Sequence, residues 1–150
     1  MKIAIGADHA GFELKEILSK LIKDSGHELT DMGTGSNCSV DYPDFAEAVA
    51  KAVSEGRYER GVLICGTGIG MSIVANKFKN IRAALCNDLF TAKMSRLHND
   101  ANILCMGARV IGTGLAKEIL LTWLNTEFEG HRHLKRVEKI NLIERKVVDK

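Results

Sequence analysis

Val62-Leu63-Ile64-Cys65-Gly66-Thr67-Gly68-Ile69-Gly70 decides how the chain reads. A short apolar run ends in a cysteine, and glycine then occupies every second position. The run has the character of a strand buried on both faces, and the loop that of its turn into a helix. Glycines let backbone N–H groups approach a ligand without Cβ interference. Bare amides at a helix start favour negative charge. A thiol at the strand end, beside that positive pocket, is drawn toward its thiolate and suited to accept a proton. The segment therefore offers a reactive sulfur next to a cradle for a developing oxyanion. Buried cysteines also serve as inert small hydrophobes, and glycine-rich turns also bind nucleotides or simply turn, so this stretch alone leaves catalysis open.

On either side, strand-like and helix-like patterns alternate. Lys2 to Ala7 is a first strand; Leu14, Ile17, Leu18, Leu21 and Ile22 then mark one face of a helix that Gly26 stops. Glu28 to Met32 is a weak second strand, and Gly33 to Tyr42 a polar loop. Asp41 or Asp44 caps the next helix, with Pro43 at its start, the stripe Phe45, Ala48, Val49, Ala52 and Val53, and Gly56 as its stop. Arg60 to Cys65 is the third strand, followed by the glycine loop and a helix to about Lys77. Ile81 to Cys86 is a fourth strand. Asp88 caps a helix with Phe90, Met94 and Leu97 on one face. Ile103 to Met106 is a fifth strand. Ala116 to Asn125, with Ile119, Leu120, Trp123 and Leu124, is helical, and beyond Glu129-Gly130 a basic helix spans about 132–145. Repeated βα units with right-handed crossovers predict an α/β protein, a three-layer αβα sandwich around a Rossmann-like five-stranded parallel sheet, as one domain over 1–150.

Bulk properties narrow the function classes. The 150 residues are 45% hydrophobic and 27% charged, with net charge +2, ordinary for a globular domain and without a case for nucleic acid or membrane binding. No apolar run approaches a membrane span, and the start lacks a signal-peptide pattern. Cys38, Cys65, Cys86 and Cys105 form no C-x-x-C and no zinc-type pairing. Free thiols in a reducing cytoplasm are the expectation.

Ligands of such sheets bind beyond the carboxyl ends of the strands, and polar residues collect there. Asp8 and His9 follow the first strand, Cys65 and Thr67 the third, Asn87 and Asp88 the fourth, and Arg109 the fifth. His9 is suited to binding phosphate or carrying a proton; taken alone, Asp8-His9 fits a capping aspartate beside a solvated histidine better. His98 follows a helix end, where its cationic form is favoured, as suits a proton donor; ordinary capping does the same. Arg132 and Arg136 share a helix face and suit an oxyanion, although spacing alone fits a solvated basic face better. His131 and His133 share no helix face, and neither reads as a metal ligand. His27 reads as surface, Cys86 and Cys105 as core, and Cys38 as a loop residue without a role.

The joint order of these motifs is more specific than any one. Asp8-His9-Ala10-Gly11, Asp41-Tyr42-Pro43-Asp44, Cys65-Gly66-Thr67-Gly68-Ile69-Gly70, Ala75-Asn76-Lys77, His98-Asn99-Asp100-Ala101-Asn102 and Gly107-Ala108-Arg109 stand in sequence. From Met1 to at least Arg136 the chain closely resembles the type B ribose-5-phosphate isomerases, within the ribose/galactose isomerase family. The resemblance implies interconversion of ribose 5-phosphate and ribulose 5-phosphate, a step of the non-oxidative pentose phosphate pathway, without metal or organic cofactor. It implies Cys65 as the base that moves a proton between C2 and C1 through a cis-enediolate. The backbone of Gly66, Thr67, Gly68, Ile69 and Gly70 would form the oxyanion hole, with the Thr67 hydroxyl assisting. His98 would open the sugar ring, with Asp8 at the anomeric hydroxyl. Asn99 and Tyr42 would touch substrate, and His9, Arg109, Arg132 and Arg136 would bind phosphate. The resemblance also implies a homodimer, or a dimer of dimers, with sites between subunits. One branch of the family places a glutamate directly after the glycine loop; Met71 stands there and cannot accept a proton, which favours Cys65. Within the family, allose-6-phosphate and galactose-6-phosphate isomerases are the alternatives. Outside it, a non-catalytic phosphate- or nucleotide-binding module remains, although neither G-x-G-x-x-G nor a P-loop occurs. A thiol redox protein is disfavoured by the missing C-x-x-C.

Overall fold

The computed structural model describes residues 1–148. Five parallel strands, β1 (Lys2–Ala7), β2 (Glu28–Asp31), β3 (Arg60–Cys65), β4 (Ala83–Leu85) and β5 (Ile103–Gly107), form one sheet in the order β2-β1-β3-β5-β4. Six helices accompany them: α1 (Phe12–Asp24), α2 (Tyr42–Ser54), α3 (Ile69–Ala75), α4 (Leu89–Leu97), α5 (Thr113–Leu124) and α6 (His131–Val148). The expected α/β class and five-stranded parallel sheet are observed.

Alternation along the central strands builds two cores. Ile3, Ile5, Val62, Ile64, Leu104 and Met106 face Leu14, Leu18 and Ile22 of α1 and Ile119, Leu120 and Trp123 of α5. Ala4, Leu63, Cys65, Ile103 and Cys105 face Ala46, Val49 and Ala50 of α2 and Met71 and Ala75 of α3. Both sheet faces are thus covered, which is why β3 reads as one continuous apolar run. No described helix is long and apolar enough to cross a membrane.

Several helix faces differ from the periodic reading. In α1, Ile17 is exposed while Lys15 is buried, 1% exposed, because its ammonium pairs with Asp31 and Glu16. In α2, Ala48 is exposed and Ala46 and Ala50 are buried, since small residues let the helix lie close to both the sheet and α3. In α4, Phe90 is 72% exposed, Met94 and Leu97 are half-buried, and the buried face is Ala92, Ser95 and Arg96. Arg96 lies there because its guanidinium sits 5.8 Å from the Trp123 ring and donates to the Ala101 carbonyl at 2.6 Å.

Element ends also shift. β2 stops at Asp31 and β4 shrinks to Ala83–Leu85, while β5 extends to Gly107. Helix α3 ends at Ala75 rather than near Lys77, α5 starts at Thr113, and α6 runs from His131 to Val148. Asp41 rather than Asp44 is the N-cap position of α2, without a side-chain cap bond; Asp88 does cap α4, accepting from Thr91 N at 2.7 Å. The last two residues of the expected 1–150 domain lie outside the described residues.

The strand order reverses between β1 and β3. From β1 the chain steps outward to β2, and from β3 it proceeds to the other side of the sheet. The loops after β1 and β3 therefore diverge and leave a crevice at their carboxyl ends.

Candidate active site

Cys65 ends β3 at that crevice, 5% exposed, with its sulfur on the α2–α3 side of the sheet. Gly68 N–H donates to Sγ at 3.1 Å. The loop reaches this pose because Gly68, the N-cap of α3, has φ +78°, a left-handed conformation that glycine adopts without strain. A Cβ at Gly68 would also lie 2.6 Å from Leu85 Cδ1 and 2.8 Å from the Met106 carbonyl carbon. Thr67 Oγ1 accepts from Ile69 N at 3.3 Å. The first-turn amides of a helix have no intrahelical acceptors, so α3 turns N–H groups toward the space above the sulfur. Tyr42 closes one side: a Cβ at Gly70 would fall 2.5 Å from its ring. Met71 is wholly buried in the core beneath the loop.

The walls come from β1 and β5. Asp8 Oδ1 accepts from Ala10 N at 3.0 Å and Gly11 N at 3.1 Å, so this buried carboxylate also shapes its own loop. His9 Nδ1 accepts from Val40 N at 3.2 Å, which leaves Nε2 to carry the ring hydrogen as a donor. Arg109 N donates to the Gly66 carbonyl at 3.0 Å, and the Arg109 guanidinium lies along Gly66. Asn87 Oδ1 accepts from Gly107 N at 3.1 Å and ties the end of β4 to that of β5. Asp8, His9, Tyr42, Cys65, Gly66 to Gly70 and Arg109 are thus gathered in one crevice. A sulfur, a row of amides and a guanidinium there can move a proton beside an anion and stabilise the charge that develops.

Four predicted site residues lie elsewhere in the same chain. The segment holding His98 and Asn99 follows α4 back to the amino ends of the strands, where Asn102 O accepts from Gly61 N at 2.9 Å. From Gly61 to Cys65 the strand climbs about 13 Å at ~3.3 Å per residue. His98 and Asn99 therefore stand at one end of the sheet and Cys65 at the other. Asp100, at φ +47°, fixes the segment through Arg96 Nη1 at 2.8 Å and Arg82 Nη2 at 3.2 Å. Arg82 Nε also donates to the Asn99 and Asp100 carbonyls, both at 3.1 Å.

Arg132 and Arg136 join His98 through a residue to which sequence reasoning assigns no role, His133. The His133 ring stacks on His98, centroids 4.1 Å apart and 14° from parallel. Arg132 Nε lies 3.3 Å from its Nε2 and Arg136 Nη1 3.1 Å from its Nδ1. Burial, then the His98 ring and the two guanidiniums, push the His133 imidazole below the ordinary histidine range, against the opposing pull of Glu129. His98, Glu129 and His133 bring ligand atoms within 4.8 Å of one another, yet the two guanidiniums set positive charge against a cation at that spot. His133 was hidden because the stack joins residues 35 positions apart; the one available signal was its place between two arginines of the same helix.

Residues 3–140 match the ribose/galactose isomerase family model. The chain belongs to the ribose/galactose isomerase family. It is 51% identical to ribose-5-phosphate isomerase B of Escherichia coli, over 97% of each chain. It is 47% identical to the D-erythrulose-4-phosphate isomerase of Pectobacterium atrosepticum, over 96% of this chain and 95% of that one. The solved Clostridium thermocellum ribose-5-phosphate isomerase B superimposes with a TM-score of 0.96 at 54% identity, covering 98% of this chain and 99% of that one. These isomerases match this family member along almost the whole length of both chains.

Proposed function

We propose that the chain is a ribose-5-phosphate isomerase, interconverting D-ribose 5-phosphate and D-ribulose 5-phosphate, as the relatives' names suggest. The observation that carries this reading is the Cys65 sulfur at the switch-point crevice, 3.1 Å from the Gly68 amide and beside the first turn of α3. In this reading His98 donates a proton to the ring oxygen while the anomeric hydroxyl gives up its own toward Asp8. The C1–O4 bond breaks and the open aldehyde forms. Cys65 then removes the C2 proton, and the electron pair shifts to give a cis-enediolate whose oxygen charge faces the loop amides and the Thr67 hydroxyl. The O2 hydroxyl proton passes to O1 as the C2 carbonyl forms, and Cys65 returns its proton to C1 to complete the ketose. Removing one such oxyanion donor costs on the order of 3 kcal/mol of transition-state stabilisation. His9, Arg109, Arg132 and Arg136 take the phosphate, and Tyr42 and Asn99 contact the sugar; remote phosphate binding places C1 and C2 against the sulfur.

The same proposal includes a homodimer. One site needs the carboxyl-end group with Cys65 and the amino-end group with His98, which a single chain holds about 13 Å apart along β3. A two-fold pairing that brings the amino end of one copy to the carboxyl end of the other completes two sites at once. Ile69, Ile73, Leu89 and Phe90, large apolar side chains exposed near the crevice, give such a pairing something to bury.

Cys65→Ala tests the base. We expect the variant to bind sugar phosphate with affinity near that of the parent and to lose turnover by 10²-fold or more, roughly the contribution of a positioned base. Unchanged turnover rejects the role of Cys65. Parallel assays on allose 6-phosphate, galactose 6-phosphate and erythrulose 4-phosphate define the preferred chain length.

A further inference from the structure

His133 is buried, sits outside the proposed chemistry, and touches both parts of the amino-end group. Its face carries the His98 ring at 4.1 Å. Its edge carries the two arginines, Arg136 Nη1 at 3.1 Å from Nδ1 and Arg132 Nε at 3.3 Å from Nε2. Guanidiniums donate and never accept, and a neutral imidazole accepts at one nitrogen only. The ring that accepts is therefore neutral: when Nδ1 accepts from Arg136, Nε2 carries the ring hydrogen and faces Glu129 Oε2 at 3.6 Å, and when Nε2 accepts from Arg132, Nδ1 carries it. One arginine at a time donates an N–H to this edge, and both keep the rest of their forks for another acceptor. The charged or titratable groups facing the His133 ring are His98, Glu129, Arg132 and Arg136.

Chemistry asks for such a joint. In a furanose 5-phosphate the ring oxygen is bonded to C4 and the phosphate is carried on C5, so the proton donor and the phosphate ligands must stand in fixed relation a few ångströms apart. His98 and the two guanidiniums are separated here by the width of one imidazole. We propose that His133 is a positioning residue that locks the phosphate-binding arginines and the ring-opening histidine into one rigid unit, its edge setting the arginines and its face setting His98. This rests on the isomerase reading for the identity of the substrate, but the physical coupling does not depend on it.

Two substitutions separate edge from face. His133→Phe keeps a ring to stack on His98 and removes every nitrogen. Its affinity for inorganic sulfate, read by calorimetry, and its KM for ribose 5-phosphate should each worsen about tenfold, with kcat within about twofold of the parent. His133→Gln keeps an amide for the arginines and removes the stack. It should hold sulfate affinity and KM within about twofold and lose about tenfold in kcat from the cyclic aldose. A merely structural residue would move KM and kcat together in both variants, and that pattern overturns the proposal, as does either variant behaving like the parent. Thermal melting identifies a variant that does not fold; His133→Leu, without nitrogen and smaller than Phe, then replaces His133→Phe in the sulfate measurement alone, with the same tenfold loss of affinity expected. Absence of turnover in the parent protein would refute the isomerase reading. The sulfate measurements would still decide the coupling: weakened binding in the Phe variant alone supports it, and equal binding in all variants refutes it.

Discussion

Cys65→Ala and the double variant His98→Asn/Arg136→Ala disable opposite ends of the same sheet, and mixing them tests how a site is assembled. Cys65 lies at the carboxyl end of β3, and the His98 segment is hydrogen-bonded to Gly61 at its amino end, about 13 Å along the strand. If a site draws its two groups from two copies, each parent homodimer has two defective sites. A mixed dimer has one site with both defects and one with none. Random reassortment after co-refolding gives half mixed dimers, so about a quarter of all sites are intact, and activity per chain should recover to about a quarter of wild type. Each parent alone should retain 1% or less, roughly the 10²-fold or greater loss expected for a missing base or acid. The assay is ketose formation from ribose 5-phosphate, with mixed dimers counted by native mass spectrometry. Mixed dimers that form in the expected proportion yet show only the average of the parents would refute the two-copy site.

Further outcomes follow from backbone and burial. Gly68→Ala places a Cβ on a residue at φ +78° and against Leu85 and the Met106 backbone; we expect a loss of about 2 kcal/mol or more from the left-handed conformation and overpacking together, read by denaturant unfolding, and a loss within about 0.5 kcal/mol would contradict the loop geometry. His133 is held below the ordinary histidine range, whose reference is 6.5. As pH falls through that value the unfolded chain takes up a proton that the folded ring resists, so stability declines toward acid and recovers as pH rises. The denaturation midpoint of wild type should therefore fall more between pH 7.5 and 5.5 than that of His133→Phe; equal falls would show that His133 is not held neutral.

How much of this could be read from the chain varies with where each residue's partner lies. The strands were legible because burial on both faces leaves no polar alternation, as in Val62-Leu63-Ile64, and the crevice because Asp8, Cys65 and Arg109 all follow strands. Helix α4 misled because periodicity ranks side chains by hydropathy: Phe90 points outward, and Arg96 turns in toward Trp123 and the Ala101 carbonyl. Lys15 is invisible to hydropathy for the same reason, its burial depending on Asp31 of β2. Motif order named Cys65 and His98 as members of one site but carried no sign that one chain holds them apart. That separation is set by the direction in which α4 returns across the sheet.

The wide spacing of the two groups has a genetic corollary. In the proposed two-copy site, a pair of duplicated genes could each let a different pole decay, one copy keeping the sulfur and the other the imidazole, and the joint product would still work through one of its two clefts. Loss of function would then be masked in either gene so long as the other was expressed beside it, which makes this architecture a ready ancestor for obligate heteromers.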